Sequence, residues 1–177
     1  GFAYESDGAL VVDVAEPSCG LITNVGKAHL QGFGSFEGVM RTKAELYDYL
    51  LQHDGLIFRN ADNPNLEQML KNIGTIGNIG KLVNYTTGTM PEGTHLVGAY
   101  NSENIQAALC VGEYVGVERE AGLAAIRAYV PTNNRSQKTV TATNTLIVDA
   151  YNANPTSMQA AINVFKGNAY ILGAMTT

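Results

Sequence analysis

The sequence predicts an α/β fold, in which a mostly parallel sheet is flanked by helices. Short apolar runs, turns rich in glycine or asparagine, and helical spacings of apolar residues follow one another repeatedly along the chain. Strands that alternate with helices in this way are typical of parallel sheets. Glycine accounts for 19 of the 177 residues, which favours many tight turns between strands and helices.

The first half of the chain carries the clearest alternation. Residues 20–26 form a short apolar run bounded by glycines, which predicts a buried strand. Residues 37–52 place apolar side chains at helical spacing, which predicts an amphipathic helix. A second strand is predicted at 55–59, and Pro64 suits the first turn of a helix that extends to Ile73.

The second half continues the same pattern. The predicted elements, in chain order, are a strand at 82–85, helices at 101–116 and 118–129, strands at 138–142 and 145–149, a helix at about 155–165 and a strand at 169–172. Residues 131–137 are polar and contain a proline, which is typical of a linker. We therefore expect one domain over residues 1–136 and the start of a second over 137–177.

Composition and charge argue against several classes of function. Eleven Lys and Arg against sixteen Asp and Glu give a net charge of −5, so nucleic acid and anionic membrane surfaces are not the expected partners. Every apolar run is far shorter than the ~20 residues that a membrane span needs, and no secretory signal is visible. Cys19 and Cys110 cannot form a disulfide framework. These features predict a cytoplasmic protein with reduced thiols.

Lys43 is the most informative residue for chemistry. On the predicted helix it shares a face with Val39, Leu46, Tyr47 and Leu50. Desolvation beside apolar side chains lowers the pKa of a lysine and favours the neutral amine. Such an amine can react with carbon dioxide to give a carbamate, whose oxygens suit a hard metal such as Mg²⁺. Spacing alone favours the alternative, a lysine whose stem is packed and whose amine lies in water.

The three histidines differ in their positions. His29 lies in a polar loop directly after the first predicted strand, where α/β sheets place ligands, so it can bind a metal or a phosphate. A surface histidine bonded to its own turn is the alternative. His53 follows a predicted helix end and His95 lies in a predicted turn, so neither suggests a site.

Polar residues also follow other predicted strands. In the string NADN, Asn60 to Asn63 can cap the following helix or contact an adenine or ribose edge. In GAYNSEN, Asn101 and Asn104 can be an N-cap and a first-turn polar residue, or can face a nucleotide base. Asp149 ends a predicted strand, a position suited to holding ribose hydroxyls. Asn152 and Asn154 follow it in DAYNANP, which a turn and helix cap would also explain. Arg135 can pair with phosphate or remain a solvated surface arginine.

Motifs of other nucleotide and hydrolytic sites are absent from this sequence. It contains no G-x-x-x-x-G-K-[ST], the loop whose backbone amides cradle phosphates. The string GTIGNIG at 74–80 lacks the lysine and hydroxyl residue of that loop, so we interpret it as a turn. No Ser-His-Asp order and no C-x-x-C pair stands out.

Five strings, taken together and in order, resemble one protein family. They are TNVGKAHLQGFGSFEGVMRTKAEL, NADNPNL, GAYNSENIQAAL, NNRSQ and DAYNANPTSMQAAI. They resemble the Mur ligases, most closely the branch that adds D-alanyl-D-alanine to UDP-N-acetylmuramoyl-tripeptide. The likeness covers most of residues 9–173.

The resemblance implies an ATP-dependent ligase of peptidoglycan precursor synthesis, with those two substrates and with ATP and Mg²⁺ as cofactors. The substrate carboxylate would attack the γ-phosphate to give an acyl phosphate, and the incoming amine would then displace phosphate. The resemblance implies that His29 and Lys43 bind the metal, with Lys43 in the form of a carbamate. It implies that Asn104 contacts adenine with the help of Asn60, that Arg135 contacts phosphate and that Asp149 holds the ribose. Asn152 and Asn154 would lie at the domain cleft.

The sequence also departs from that family. The N-terminal domain and the phosphate-binding loop are missing, and the segment between Tyr85 and His95 is shorter than the resemblance leads us to expect. We therefore interpret the chain as part of the central ATP-binding domain joined to the first βαβ elements of a Rossmann-like C-terminal domain. We expect it to need the remainder of the ligase chain for activity. A non-catalytic nucleotide-binding or packing module, and a Mur or folylpolyglutamate-type ligase with another amino-acid substrate, remain alternatives.

Overall fold

The structure is a computed structural model that describes residues 7–26, 34–74, 81–96, 98–132 and 137–148, together with residues 159 and 162. Its elements, in chain order, are α1 (Asp7–Ala15), β1 (Cys19–Leu21), α2 (Phe36–Gln52), β2 (Leu56–Asn60), α3 (Pro64–Asn72), β3 (Lys81–Tyr85), α4 (Tyr100–Tyr114), α5 (Arg119–Ala128), β4 (Gln137–Val140) and β5 (Thr145–Val148). The predicted α/β class is confirmed. The chain divides into two compact units, Gly1–Thr87 and Gly88–Thr177.

The first unit contains a parallel three-stranded sheet in the order β1-β2-β3. Phe58 in the central strand pairs with Leu21 on one side and with Val83 on the other. Leu56, Ile57 and Phe58 are all buried, as expected for a strand covered on both faces. The strands predicted at 20–26, 55–59 and 82–85 are therefore present in this unit and parallel, although the first is shorter than predicted.

Helix α2 contributes much of the core of this unit. Its N-cap is Ser35, whose Oγ accepts a hydrogen bond of 3.0 Å from the backbone N–H of Gly38. The buried members of the core cluster are Ile22, Val25, Val39, Tyr47, Leu50, Ile57, Leu66, Met69 and Leu70. Because they come from α2, β2, α3 and the segment after β1, the helices are fixed against the sheet by one common core.

Two glycines allow α2 to approach the sheet closely. A Cβ atom on Gly55 would lie 2.6 Å from Cδ2 and 3.2 Å from the backbone Cα of Leu50. A Cβ atom on Gly20 would lie 2.7 Å from Cδ1 of the same leucine. Leu50 itself is fully buried, so a side chain at either position would have to displace it from the core.

Two elements differ from the prediction. Strand β1 ends at Leu21, although 20–26 was predicted as a strand. Ile22 and Val25 are buried in the core but do not pair with β2. The prediction from the apolar run was therefore right about burial and wrong about strand pairing beyond Leu21. Helix α1 was not predicted, because its adjacent valines have low helix propensity and give no clear amphipathic spacing.

Between residues 98 and 148, the described part of the second unit contains helices α4 and α5 and a hairpin of β4 and β5. Gly116, with φ of +90°, lies in the turn between α4 and α5, as the predicted break requires. Strands β4 and β5 pair antiparallel, with Val140 opposite Thr145. Thr141 and Asn144 close their connection, since the Thr141 backbone N–H donates to the Asn144 carbonyl at 2.7 Å. The sequence predicted a mostly parallel sheet, and these two strands instead pair antiparallel.

Several sequence predictions lie wholly or largely outside the described residues: the turn at 74–80, of which only Gly74 is described, the helix at about 155–165 and the strand at 169–172. Of the predicted helix, only residues 159 and 162 are described, and both are helical. The predicted domain boundary between residues 136 and 137 remains a prediction, because the division at Thr87 reflects compactness rather than family domains. In the described part of the chain, no helix has both the length and the apolar character needed to cross a membrane.

Candidate functional site

The candidate site in the first unit is the edge of the sheet where β1, β2 and β3 end, which we call the ligand edge. Because the strands are parallel, the segments that follow all three emerge at this one edge. Open α/β sheets bind ligands outside the carboxyl ends of their strands. Two groups of polar residues lie at this edge: Lys43 with the segment after β1, and Asn60, Asp62 and Thr87 at the ends of β2 and β3.

Helix α2 brings the Lys43 amine to the end of β1. Its Nζ donates a hydrogen bond of 3.0 Å to the backbone carbonyl of Asn24, three residues after that strand. Val39, Tyr47 and Leu50, which the helical spacing placed on the same face, are buried. The Lys43 side chain is therefore half-buried, with its stem packed among apolar groups and its amine directed to the ligand edge.

Burial lowers the pKa of Lys43 below its ordinary value of 10.5. The cause is desolvation, which penalises the ammonium relative to the neutral amine. This direction was predicted from the apolar stripe and is confirmed. A lowered pKa increases the fraction of Lys43 present as the neutral amine, which is the form that can react with carbon dioxide.

The second group joins the ends of β2 and β3 through three hydrogen bonds. Asn60 is only 1% exposed; its Nδ2 donates to Thr87 Oγ1 at 3.1 Å, and its Oδ1 accepts from the backbone N–H of Asp62 at 3.0 Å. Asp62 Oδ2 accepts from the backbone N–H of Thr87 at 2.8 Å. We call these three residues the Asn60–Asp62–Thr87 clasp. The Asn60 amide thus has partners within the protein, and its predicted contact with a nucleotide remains a prediction.

The next residues of the same string begin a helix. Asn63 is the N-cap of α3, and its side chain accepts a hydrogen bond from the backbone N–H of Asn65 at 3.1 Å. Pro64 occupies the first turn, where its missing N–H has no cost. For Asn63 the structural alternative, helix capping, is confirmed.

Asn104 lies in the second unit, on α4. It is exposed, and its Nδ2 donates to Oδ1 of the buried Asn101 at 3.2 Å. The interpretation of Asn101 as an N-cap is wrong: the cap residue is Ala99, which makes no side-chain cap bond, and the helix begins at Tyr100. Asn101 is therefore a buried first-turn residue that orients Asn104, and the base contact of Asn104 remains a prediction.

The remaining predicted site residues lie outside the described part of the chain. They are His29, Arg135, Asp149, Asn152 and Asn154. Their roles stay predictions, as does the pairing of His29 with Lys43.

The described residues do not form a magnesium site by themselves. Among them, no group of three His, Cys, Asp or Glu side chains is placed to hold a metal ion. An amine is not a ligand that Mg²⁺ prefers, so Lys43 would serve only after conversion to a carbamate with anionic oxygens. Its lowered pKa and its position at the ligand edge fit that role.

Two buried hydroxyls lie on the same helix as Lys43. Thr42 Oγ1 and Tyr47 Oη are buried and have no hydrogen-bond partner in the described structure. Burial, followed by the proximity of Tyr85, holds the pKa of Tyr47 well above its usual range. The Tyr47 hydroxyl therefore keeps its proton at neutral pH and contributes no charge beside Lys43.

Sequence reasoning missed three residues of this edge. Asn24, Asp62 and Thr87 all make bonds there, yet none was predicted to do so. The partners of Lys43 and Asp62 are 19 and 25 positions away, so no local pattern could identify them. Asp62 alone carried a signal, since it lies within NADN directly after a predicted strand.

Comparisons with known proteins agree with this geometry. Residues 4–80 match the profile of the Mur ligase middle domain. A UDP-N-acetylmuramoyl-tripeptide–D-alanyl-D-alanine ligase of Bacillus subtilis is 30% identical over 182 residues, which cover 93% of this chain and 39% of that protein. The chain belongs to the Mur ligase family. The ligase of the same name from Escherichia coli is 32% identical over 191 residues, covering 93% of the chain and 41% of that protein.

Solved structures of Mur ligases show the same fold. MurF from Acinetobacter baumannii superposes with a TM-score of 0.75 at 23% identity, over 93% of this chain and 40% of that one. The MurF ligase of Thermotoga maritima, solved in complex with ADP, gives 0.73 at 20% identity, over 92% and 42%. This chain therefore spans about two fifths of the length of the Mur ligases that it matches.

Proposed function

We propose that the protein containing this chain is an ATP-dependent ligase that adds D-alanyl-D-alanine to UDP-N-acetylmuramoyl-tripeptide in cytoplasmic synthesis of peptidoglycan precursors. The observation that carries the proposal is the identity of about 30% across nine tenths of the chain with ligases of that name. The position of the Lys43 amine at the ligand edge of the sheet supports it.

The reaction proceeds in two transfers. A carboxylate oxygen of the tripeptide attacks the γ-phosphorus of ATP, the bond from that phosphorus to the bridging oxygen breaks, and ADP leaves. The amine of D-alanyl-D-alanine then attacks the acyl carbon and loses a proton. The bond from this carbon to the phosphate oxygen breaks, so the products are the amide, ADP and inorganic phosphate. Catalysis consists mainly of positioning and of stabilising charge on the phosphates.

Lys43 and His29 are the residues that we assign to Mg²⁺. The Lys43 nitrogen bonds the carbon of carbon dioxide and releases a proton, which replaces an ammonium by an anionic oxygen donor. The lowered pKa of Lys43 supports this assignment, because only the neutral amine reacts. When bound, Mg²⁺ would neutralise charge on the phosphates and on the oxyanion that develops at the acyl carbon.

The nucleotide is assigned to residues from the rest of the chain. Asn104 would contact adenine, and its exposed amide, oriented by Asn101, supports this role. Arg135 would pair with phosphate, Asp149 would hold the ribose, and Asn152 and Asn154 would line the cleft. Asn60 would assist Asn104. Because Asn60 is buried and bonded within the clasp, we expect it to position neighbouring residues rather than to contact the nucleotide directly.

Replacing Lys43 tests the proposal. In the full-length protein we expect Lys43→Ala to lower the rate of phosphate release that depends on ATP, tripeptide and D-alanyl-D-alanine by about 100-fold or more. The reason is that the variant lacks a ligand for the Mg²⁺ that would neutralise the charge on the phosphates. The matched control is Lys71→Ala, which removes an exposed lysine whose ion pair, within the described residues, is with Glu67 on the same helix α3. Activity of the Lys43 variant equal to that of the control would contradict the assignment of Lys43.

A further inference from the structure

We propose that the Asn60–Asp62–Thr87 clasp is a positioning device for ATP, in which Asp62 holds the chain segment after β3 in its nucleotide-binding arrangement. This inference rests on the proposed function, because it assumes that ATP binds at the carboxyl edge of the sheet. It gives Asp62 and Thr87 a function, and it replaces the direct base contact expected of Asn60 by an indirect one.

The clasp has two parts that do different work. The bond from the Asp62 backbone N–H to Asn60 Oδ1 closes a local turn after β2, which any strand-to-helix connection would use. The bonds that reach Thr87 instead connect positions 25 and 27 residues apart. A turn or a helix cap needs neither of these long-range bonds, so they act on the segment after β3.

The register of the sheet places the clasp at the ligand edge. Asn60 and Tyr85, the last residues of β2 and β3, are directly paired, and the Ala61 backbone N–H donates to the Tyr85 carbonyl at 2.8 Å. Thr87 lies two residues further on. The clasp therefore fixes the first peptide groups beyond the sheet, at the edge where α/β folds hold their ligands.

The strongest bond of the clasp has a charged acceptor. Asp62 carries a carboxylate, and its Oδ2 lies 2.8 Å from the backbone nitrogen of Thr87, a length typical of a charge-assisted bond. Asp62 is exposed, so its loss leaves no buried unpaired group. A segment held in one arrangement before ATP arrives loses less conformational freedom on binding, and the affinity rises accordingly.

The structure offers a matched control at the opposite edge of the same two strands. Lys81, the first residue of β3, donates to Asp54 Oδ2 at 2.8 Å and to the Asp54 carbonyl at 3.2 Å, two residues before β2 begins. This pair also joins β2 to β3, but at their amino-terminal ends. If both pairs only stabilised the sheet, Lys81→Met and Asp62→Ala would have the same effect on the KM for ATP. The proposal predicts that only Asp62→Ala raises this KM.

The first measurement tests the clasp itself. In the full-length protein, hydrogen exchange at the Thr87 amide should be about tenfold faster in Asp62→Ala than in the unaltered protein, because alanine has no oxygen to accept the hydrogen bond. Asp62→Asn should restore much of the protection, since its amide oxygen still accepts. Equal exchange in the unaltered protein and in Asp62→Ala would show that the bond does not hold the segment, and would overturn the proposal.

The second measurement tests the function of the clasp. We expect Asp62→Ala, and Thr87→Val as a second variant, to raise the KM for ATP by about tenfold with kcat within about twofold. Asp62→Asn should raise the KM less than Asp62→Ala, and Lys81→Met should leave it near the unaltered value. An unchanged KM for ATP in both clasp variants, with the unaltered ligase active, overturns this inference alone. No ligation by the unaltered protein overturns the proposed function, and this inference with it.

Discussion

At the scale of single residues, Lys43 connects the packing of the core to the proposed chemistry. Its stem follows the buried face of α2, and its amine bonds the carbonyl of Asn24 beyond β1. Helical spacing was enough to predict the apolar neighbours and the lowered pKa, since both depend on residues within one or two turns. The hydrogen-bond partner could not be predicted, because it depends on how α2 lies against β1.

The pKa of Lys43 has a consequence for stability. Its pKa in the folded protein lies below 10.5, the value for an exposed lysine, so between these two values the unfolded chain binds more protons. Stability from this residue therefore rises with pH across that window. We expect the unaltered protein to gain stability relative to Lys43→Met as pH rises toward 10.5, measured by chemical denaturation of both proteins at several pH values. A difference that does not change with pH would contradict the desolvation of the half-buried Lys43 side chain.

At the scale of elements, the close contact between α2 and the sheet determines where Lys43 can reach. The sequence predicted α2, β2, α3 and β3 to within one residue at nearly every end, because each has a clear period and clear end signals. It overestimated β1, whose length depends on how far β2 runs beside it. The hydrogen bonds of the Asn60–Asp62–Thr87 clasp could not be predicted from the sequence either, because they depend on the register between β2 and β3.

The packing of Leu50 against the connection between α2 and β2 can be tested at Gly55. Gly55→Ala would place a Cβ atom 2.6 Å from the side chain and 3.2 Å from the backbone of Leu50, so we expect a loss of about 1–3 kcal/mol in the free energy of unfolding. Gly26→Ala is the control, because a Cβ atom there meets nothing within 4 Å. Equal unfolding free energies for the two variants, measured by chemical denaturation, would be incompatible with this packing.

At the scale of the whole molecule, the fold class and the family were both accessible from the sequence, for different reasons. Alternating strands and helices predicted the parallel sheet, and five ordered strings indicated the Mur ligases, which the comparisons confirm. The hairpin of β4 and β5 was predicted as two strands, but its antiparallel pairing depends on the short Thr141–Asn144 connection. The division into units at Thr87 had no signal in composition.

The most direct test of the account is the product that the full-length protein makes. It would be supplied with UDP-N-acetylmuramoyl-tripeptide, D-alanyl-D-alanine, ATP and Mg²⁺, and the products would be identified by mass. We expect a single joined product containing both peptides, with one ADP and one phosphate formed for each molecule of product. ATP-independent joining, a product with a different amino acid, or no joined product would contradict the central claim, and the last result would favour a non-catalytic nucleotide-binding module.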